Sequence, residues 1–487
     1  MAQAISAGGR RPPHRLADRS APRRSIRERS EGSAEAIGGQ SEGMAGAAKD
    51  SDVPELRTIA PSEVEVEDFE PVDPKARAQA LEILNDVKDR GEVGLLHQAR
   101  RFKEIPADSN KFILGREELR KAFEGLPADQ QGVLTRTAAR IRAFAEAQRA
   151  SITAIEVDIE GGRAGQTVEP VRRAGCYAPG GRYPLPSSVL MTACTARAAG
   201  VAEVVVASPC PAEVTKAAAY VAEADCLLAI GGAHAVGAMA YGVGIKACDI
   251  IVGPGNQWVT AAKAIVNGIC GIDMLAGPSE VLVIADSAAD PEVIAADLLA
   301  QAEHDVEARP ILVTAERSVI EGVNRALRRQ LACLPTRDVA IPAVQKGFAV
   351  LCKDLAEAVA VSNRLAPEHL EVQTEDAREL SRSLTAYGGL FVGKHAAEVL
   401  GDYGAGPNHV LPTSCTAKYT GGLSVHTFQR KNTWMRIDDQ EKAQQQISDS
   451  VVLARLEGLE GHARAAEKRL LPGSGSNGGA AKKPRAA

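Results

Sequence analysis

From about residue 200 onward, short β-branched runs alternate with helical stretches, and this alternation restricts the chain to parallel sheets covered by helices. The first series runs Val204-Val205-Val206, a helix over 213–223, a strand over 227–230, a helix over 233–241, a strand over 250–252 and a helix over 258–266. A second series follows: strands over 281–284, 311–313, 350–352 and 390–392, with helices over 291–303, 319–330 and 355–363 between them. Neighbouring parallel strands need a crossover, so this order makes βαβ units. The fold class expected is α/β, with two doubly wound, incomplete Rossmann-like parallel-sheet domains. Between Asp73 and Ala150 the apolar positions Ala78, Leu81, Ile83, Leu84 and Val87 recur at helical spacing, so the N-terminal part reads as mainly helical.

Length and charge remove several classes of function. A chain of 487 residues with 45% hydrophobic content divides into more than one core. A net charge of −5 and only 3% aromatic residues, with no basic stripe, argue against a nucleic-acid partner. No apolar run approaches the ~20 residues that span a bilayer, so no membrane partner is expected. The nine cysteines are odd in number and contain no C-x-x-C pair, which fits a reducing compartment. Cys176 and Cys194 flank a glycine loop and admit an alternative, the thiol nucleophile of an aldehyde-oxidising enzyme, against the plain reading as small core residues.

The two ends differ in composition from the rest. Within the first 25 residues one acid, Asp18, faces six arginines between Arg10 and Arg24, so residues 1–50 read as a disordered or transit-like leader. A cytoplasmic location is expected, or a plastid if the leader is a transit peptide. The Gly/Ser-rich stretch at the other end, within 467–487, reads as a tail.

Three glycine loops stand where a strand hands over to a helix: Pro179-Gly180-Gly181, Gly231-Gly232 and Gly253-Pro254-Gly255-Asn256. Backbone N–H groups at helix starts suit phosphate, although none of the loops reads G-x-G-x-x-G and each alone is also an ordinary tight turn. Together they point to a nucleotide, with Tyr177 and Asn256 as candidates for contacting it.

Five of the nine histidines, His304, His369, His409, His426 and His462, lie in compact polar strings between Asp297 and His462. Gln301 and His304, at i and i+3, share a face near the end of the 291–303 helix. With Asp402 and His462 they give two imidazoles and two oxygens, a set suited to zinc or manganese with room for a substrate alcohol. Glu368 and His369 follow Pro367, which favours a loop with extended backbone before it. An imidazole there suits removal of an alcohol proton and a carboxylate suits activation of water, the alternative being a surface Glu-His dipeptide.

Taken together, the strings resemble histidinol dehydrogenase. The matching text is Gly180-Gly-Arg-Tyr-Pro-Leu-Pro-Ser-Ser-Val-Leu-Met191, Gly253-Pro-Gly-Asn256, Gly271-Ile-Asp-Met-Leu-Ala-Gly-Pro-Ser-Glu280, Asp297-Leu-Leu-Ala-Gln-Ala-Glu-His304, Ala366-Pro-Glu-His-Leu370 and Asn408-His-Val-Leu-Pro-Thr413. The similarity extends from about Val64 to Leu470. The resemblance implies oxidation of the amino alcohol L-histidinol to L-histidine through the aldehyde, with two NAD reduced and one Zn2+ per subunit. It implies Gln301, His304, Asp402 and His462 as metal ligands, with His369 and Glu368 as bases of the alcohol and aldehyde steps. Ser279, Glu457, His369 and the ligand side chains would meet substrate, and Tyr177, His234 and Asn256 would line the NAD site.

It also implies a domain-swapped homodimer in which His462 and Glu457 complete the partner's site. The expected division is then a first domain of 51–174 with 278–409, a second of 175–277, and a dimerisation arm of 410–466. Two features depart from the family wording. His234 stands where the family shows Gln, and an imidazole can still donate or accept a hydrogen bond. The text around 424–436 and 458–465 is also similar to a branch oxidising other polyols such as sulfopropanediol, whereas Ser279-Glu280 favours histidinol.

Overall fold

A computed structural model describes residues 54–65, 72–180 and 183–472. The expected leader, Gly181 and the tail beyond residue 472 lie outside the described residues. Two six-stranded sheets and one three-stranded sheet carry the fold. The first is parallel throughout, in the order Arg57–Ile59, Phe348–Leu351, Arg309–Thr314, Glu280–Ala285, His369–Gln373, Gly389–Val392. The second has the order Ile113–Gly115, Cys226–Leu228, Glu203–Ala207, Arg173–Tyr177, Ile250–Val252, Gly271–Ile272, parallel except at its first pair.

Each six-stranded sheet is covered on both faces. Residues 280–285 and 369–373 are buried at every position, which is how a strand reads when helices lie above and below it. Val281, Val283 and Ala285 enter one core with the helix Pro291–Ala302, while Leu282 and Ile284 enter another with Leu370 and Val372. The second sheet divides its side chains in the same way between two further cores. The alternation of runs therefore predicted four strands of the first sheet and three of the second, but not Arg57–Ile59, His369–Gln373, Ile113–Gly115, Arg173–Tyr177 or Gly271–Ile272, and most expected elements fall within two residues of the observed ones.

Three expectations are corrected. The helices between residues 74 and 150 do not join the sheet of 278–409: Ala76, Leu84 and Val87 pack with Tyr177 and Val236, and Leu134 and Ile141 pack with Leu190 and Val204. Among the described residues of the 51–174 segment, Arg57–Ile59 is the strand that pairs into the first sheet, with Leu56 and Val64 packed in its cores, because the helices carry the apolar faces that cover the second. The arm of 410–466 is not one unit either, since Val410, Leu423, Val425 and Phe428 are buried in the core beside the second sheet. Beyond it, Gln429–Ile437 pairs antiparallel with Gly162–Pro170, which in turn forms a hairpin with Ile155–Ile159. This third sheet was not expected, because its strands are largely polar; the turn at Gly161, with φ of +71°, was its one local sign. Finally, the loop expected to carry the Glu368-His369 pair holds Glu368 but not His369. Ala366 turns left-handed at the end of the helix Leu355–Leu365, and His369 opens a central strand.

Among the described residues no helix is long and apolar enough to cross a membrane.

Phe428 is fully buried and ties the 410–428 segment to the core. Phe428→Ala should lower unfolding stability by about 3–5 kcal/mol in urea titration, a loss below 1 kcal/mol contradicting this packing.

Candidate active site

The candidate active site is assembled at the amino edge of the first sheet, where helices that follow its strands return their C-terminal ends. Glu280 and His369 stand at the starts of adjacent strands, with Val281 paired to His369. The Glu368 carboxylate accepts the Glu280 backbone N–H at 2.9 Å. The Glu280 carbonyl faces Nδ1 of His369 at 3.2 Å. A carbonyl only accepts, so Nδ1 carries the proton and Nε2 is the basic nitrogen. That Nε2 has no hydrogen-bond partner and lies 3.8 Å from Oδ1 of Asp402. Burial pushes the His369 imidazole down to about 3, so it is neutral near pH 7. Burial pushes the Glu368 carboxyl well above the usual range, opposed by the Glu280 N–H.

Facing this pair are donors from two helix segments. Gln301 lies in the last turn of Pro291–Ala302, and His304 stands just beyond its cap, one step later than the expected helix end. Glu398 and Asp402 sit at i and i+4 on the short helix Glu398–Tyr403, and so share a face. His304, Glu398 and Asp402 each bring a ligand atom within 4.8 Å of the others. The amide nitrogen of Gln301, oriented to satisfy its neighbours, donates to the two Glu398 oxygens at 2.5 and 2.9 Å. His409 places Nδ1 3.0 Å from the Asp402 carbonyl, and burial pushes its imidazole down to about 4.

Beneath these donors lies a second carboxylate layer. Glu371 accepts the Glu398 N–H at 2.8 Å, and Gln373 bridges Glu371 and Asp297 at 2.9 and 2.7 Å. Burial, and then the neighbouring carboxylates, push Glu398 well above the usual range, and burial lifts Asp402 to about 6. Carboxylates crowded in this way are relieved by a cation, so one imidazole, two acids and a neutral amide fit a divalent metal such as zinc.

Sequence reasoning missed Glu398. Its signal was the Glu-x-x-x-Asp spacing up to Asp402, legible only once 398–403 is known to be helical. Of the expected site residues, the structure brings together Gln301, His304, Glu368, His369 and Asp402. Ser279 is next to Glu280 and pairs through its carbonyl with the Arg309 N–H at 3.0 Å. Glu457 and His462 are exposed on the helical segment after Gln444, and His462 is not among the donors that converge within the chain.

The expected nucleotide residues gather at the carboxyl edge of the second sheet. The strand order reverses beside Arg173–Tyr177, the position where open α/β sheets form a crevice. At two glycine loops several of the amides that the phosphate reading would use already have partners within the chain. At Gly231-Gly232, Glu104 accepts the Gly231 N–H and the Tyr177 hydroxyl accepts the Gly232 N–H, each at 3.0 Å. At the next loop, the Asn256 side-chain oxygen accepts from the amides of Trp258 and Val259, capping its own helix. His234 is 1% exposed and points its Nε2 to Glu104 at 2.6 Å. Cys176 is completely buried and its thiol is pushed up to about 12 by that burial, as is that of Cys194; neither suits a thiolate nucleophile.

Known proteins resemble the chain over most of its length. A family model described as histidinol dehydrogenase matches residues 70–470. A histidinol dehydrogenase of Cupriavidus pinatubonensis is 42% identical over 83% of this chain and 94% of its own length. One from Thermus thermophilus is 43% identical over 82% and 95%. The crystal structure of histidinol dehydrogenase from Elizabethkingia anophelis superposes with a TM-score of 0.79 at 29% identity, covering 85% of this chain and 98% of that one. The chain belongs to the histidinol dehydrogenase family.

Proposed function

We propose that this chain is an NAD-dependent, zinc-dependent enzyme that oxidises L-histidinol to L-histidine through L-histidinal, the last step of histidine biosynthesis. The observation that carries the reading is the unpartnered basic Nε2 of His369, set by Glu280 and aimed at the His304–Asp402 donors. The histidinol dehydrogenases among the relatives favour this reading over a dehydrogenase of another polyol such as sulfopropanediol.

Zn2+ would be held by Gln301, His304 and Asp402, with His462 from a second copy of the chain, and supplies a positive charge that stabilises the developing alkoxide. NAD, lined by Tyr177, His234 and Asn256, would supply the hydride acceptor for each of the two oxidations. In the first step Nε2 of His369 takes the alcohol proton, its ring held by Glu280 and by Phe391, whose centroid is 6.1 Å away. In the second, Glu368 takes a proton from water attacking the aldehyde; the Glu280 N–H keeps one of its oxygens fixed. Ser279, Glu457 and His462 would complete the substrate contacts. The homodimer with exchanged arms is supported by the exposed Leu453, Leu456 and Leu459 on the C-terminal helices, apolar surface that a partner would cover.

Three outcomes test this. Purified protein with L-histidinol should form two NADH per substrate consumed, and a chelator should abolish the reaction; absence of NADH from metal-loaded protein while a non-imidazole diol is oxidised would select the polyol reading. His369→Asn should lower alcohol oxidation by about 10²–10⁴-fold and leave oxidation of supplied L-histidinal less affected, and Glu368→Gln should show the reverse split; equal losses in both half-reactions would remove the division of labour. Cys176→Ser should retain full turnover, as its buried thiol takes no part.

A further inference from the structure

Glu104 has no place in the chemistry above, yet it pairs with His234, 130 positions away. Glu104 follows the helix Glu92–Arg101, and its carboxylate is divided between two partners. One oxygen accepts the Gly231 N–H at 3.0 Å and the other meets Nε2 of His234 at 2.6 Å. A carboxylate only accepts, so the proton of the imidazole is on Nε2 and Nδ1 is left as an acceptor. Phe102 stacks on the ring, with centroids 5.4 Å apart and planes within 4°, and fixes its plane.

Nδ1 is buried and has no partner. It faces Gly232, the first residue of the helix Gly232–Tyr241, which has φ of +57°. A Cβ placed on Gly232 would have only Nδ1 and Cε1 of His234 within 4 Å outside its own turn, at 3.6 and 3.7 Å. An atom-sized space therefore lies beside the turn, walled by an acceptor nitrogen. It is at the carboxyl edge of the second sheet, where Tyr177 also reaches the same turn through its hydroxyl. An unmet buried acceptor at this place calls for a donor from a ligand.

We propose that Glu104 is a positioning residue for cofactor binding: by holding the proton of His234 on Nε2 it presents Nδ1 as an acceptor beside Gly232, where a hydroxyl or amide N–H of the dinucleotide donates. This rests on the NAD reading above and assigns the tautomer that makes an imidazole serviceable at this position. Glu104 touches no ligand itself; it acts through His234.

Glu104→Gln is the decisive variant because it keeps the shape and both hydrogen bonds. Its oxygen can still accept from Gly231, but its NH2 donates to Nε2, which moves the imidazole proton to Nδ1 and turns the acceptor into a donor. NAD affinity would be measured by titration of the full-length protein, together with KM for NAD and for histidinol, Tm, and the tautomer by 15N NMR of histidine-labelled protein. The expected result is affinity for NAD weakened about tenfold, as for one lost hydrogen bond, with KM for histidinol and Tm unchanged. In a His234→Gln background, whose amide rotates to offer either group, Glu104→Gln should have no further effect on NAD. Unchanged NAD affinity in the single variant, an equal loss in both backgrounds, or a wild-type proton on Nδ1 would each overturn the proposal. Wild-type protein that fails to bind NAD would instead overturn the dinucleotide reading on which it stands.

Discussion

The backbone of Glu280 is the fixed point on which the active site depends. Its N–H holds Glu368 and its carbonyl meets His369, so one residue at the head of a central strand sets both proposed bases. Its own carboxylate accepts the N–H of Ser414 at 2.8 Å, which ties the 411–415 segment to the same point. Strands held in register on both sides cannot shift one residue without moving every side chain to the opposite face. The strand thus seats His369 rigidly and gives the imidazole a defined tautomer, while the Glu280 N–H restrains Glu368 in the loop just before it.

A surplus of buried carboxylates surrounds that fixed point. Glu368, Glu371, Glu398 and Asp402 are all displaced upward, with burial the first cause in each case. Such a cluster disfavours its own ionisation in a site of low dielectric, and a bound divalent cation reverses that preference by attracting the charged forms. The second layer has a separate part. Glu371 restrains Glu398 through its backbone, and Gln373 links Glu371 to Asp297, four residues before Gln301 on the same helix. The two helix segments that offer donors are therefore joined beneath the site as well as across it.

Seven strands of the two large sheets were legible because apolar periodicity reports burial directly, as at 250–252 and 281–284, whereas the central strands Arg173–Tyr177 and His369–Gln373 were not read from the pattern. The metal-side residues were legible for a different reason: Gln301, His304, Glu368, His369 and Asp402 lie in strings whose resemblance to one family is specific. What was not legible depends on distant pairing. The strand Gln429–Ile437 is polar and becomes a strand only by meeting Gly162–Pro170. Glu398 carries no motif of its own and is defined by the helix that aligns it with Asp402. Glu104 lies in an unremarkable Phe-Lys-Glu-Ile stretch, and its role appears only when the chain folds it onto Gly231 and His234.

The glycine loops show how a local pattern can be read correctly and its cause misassigned. The Gly231-Gly232 and Gly253-Pro254-Gly255-Asn256 loops do stand at strand-to-helix turns, but Gly231, Gly253 and Gly255 are needed for close packing. A Cβ on Gly253 would stand 2.0 Å from the Tyr177 carbonyl oxygen, and one on Gly231 would stand 2.6 Å from Pro209. Gly253 is further fixed by buried partners, since Asp273 accepts its N–H and Lys263 donates to its carbonyl. Glu104, Tyr177 and Asn256 occupy the amides of Gly231, Gly232, Trp258 and Val259, which leaves fewer helix-start N–H groups for a phosphate at these two loops. Side-chain groups stand at the same edge, and the buried Nδ1 of His234, without a hydrogen-bond partner, is an acceptor that a donor from a ligand would satisfy.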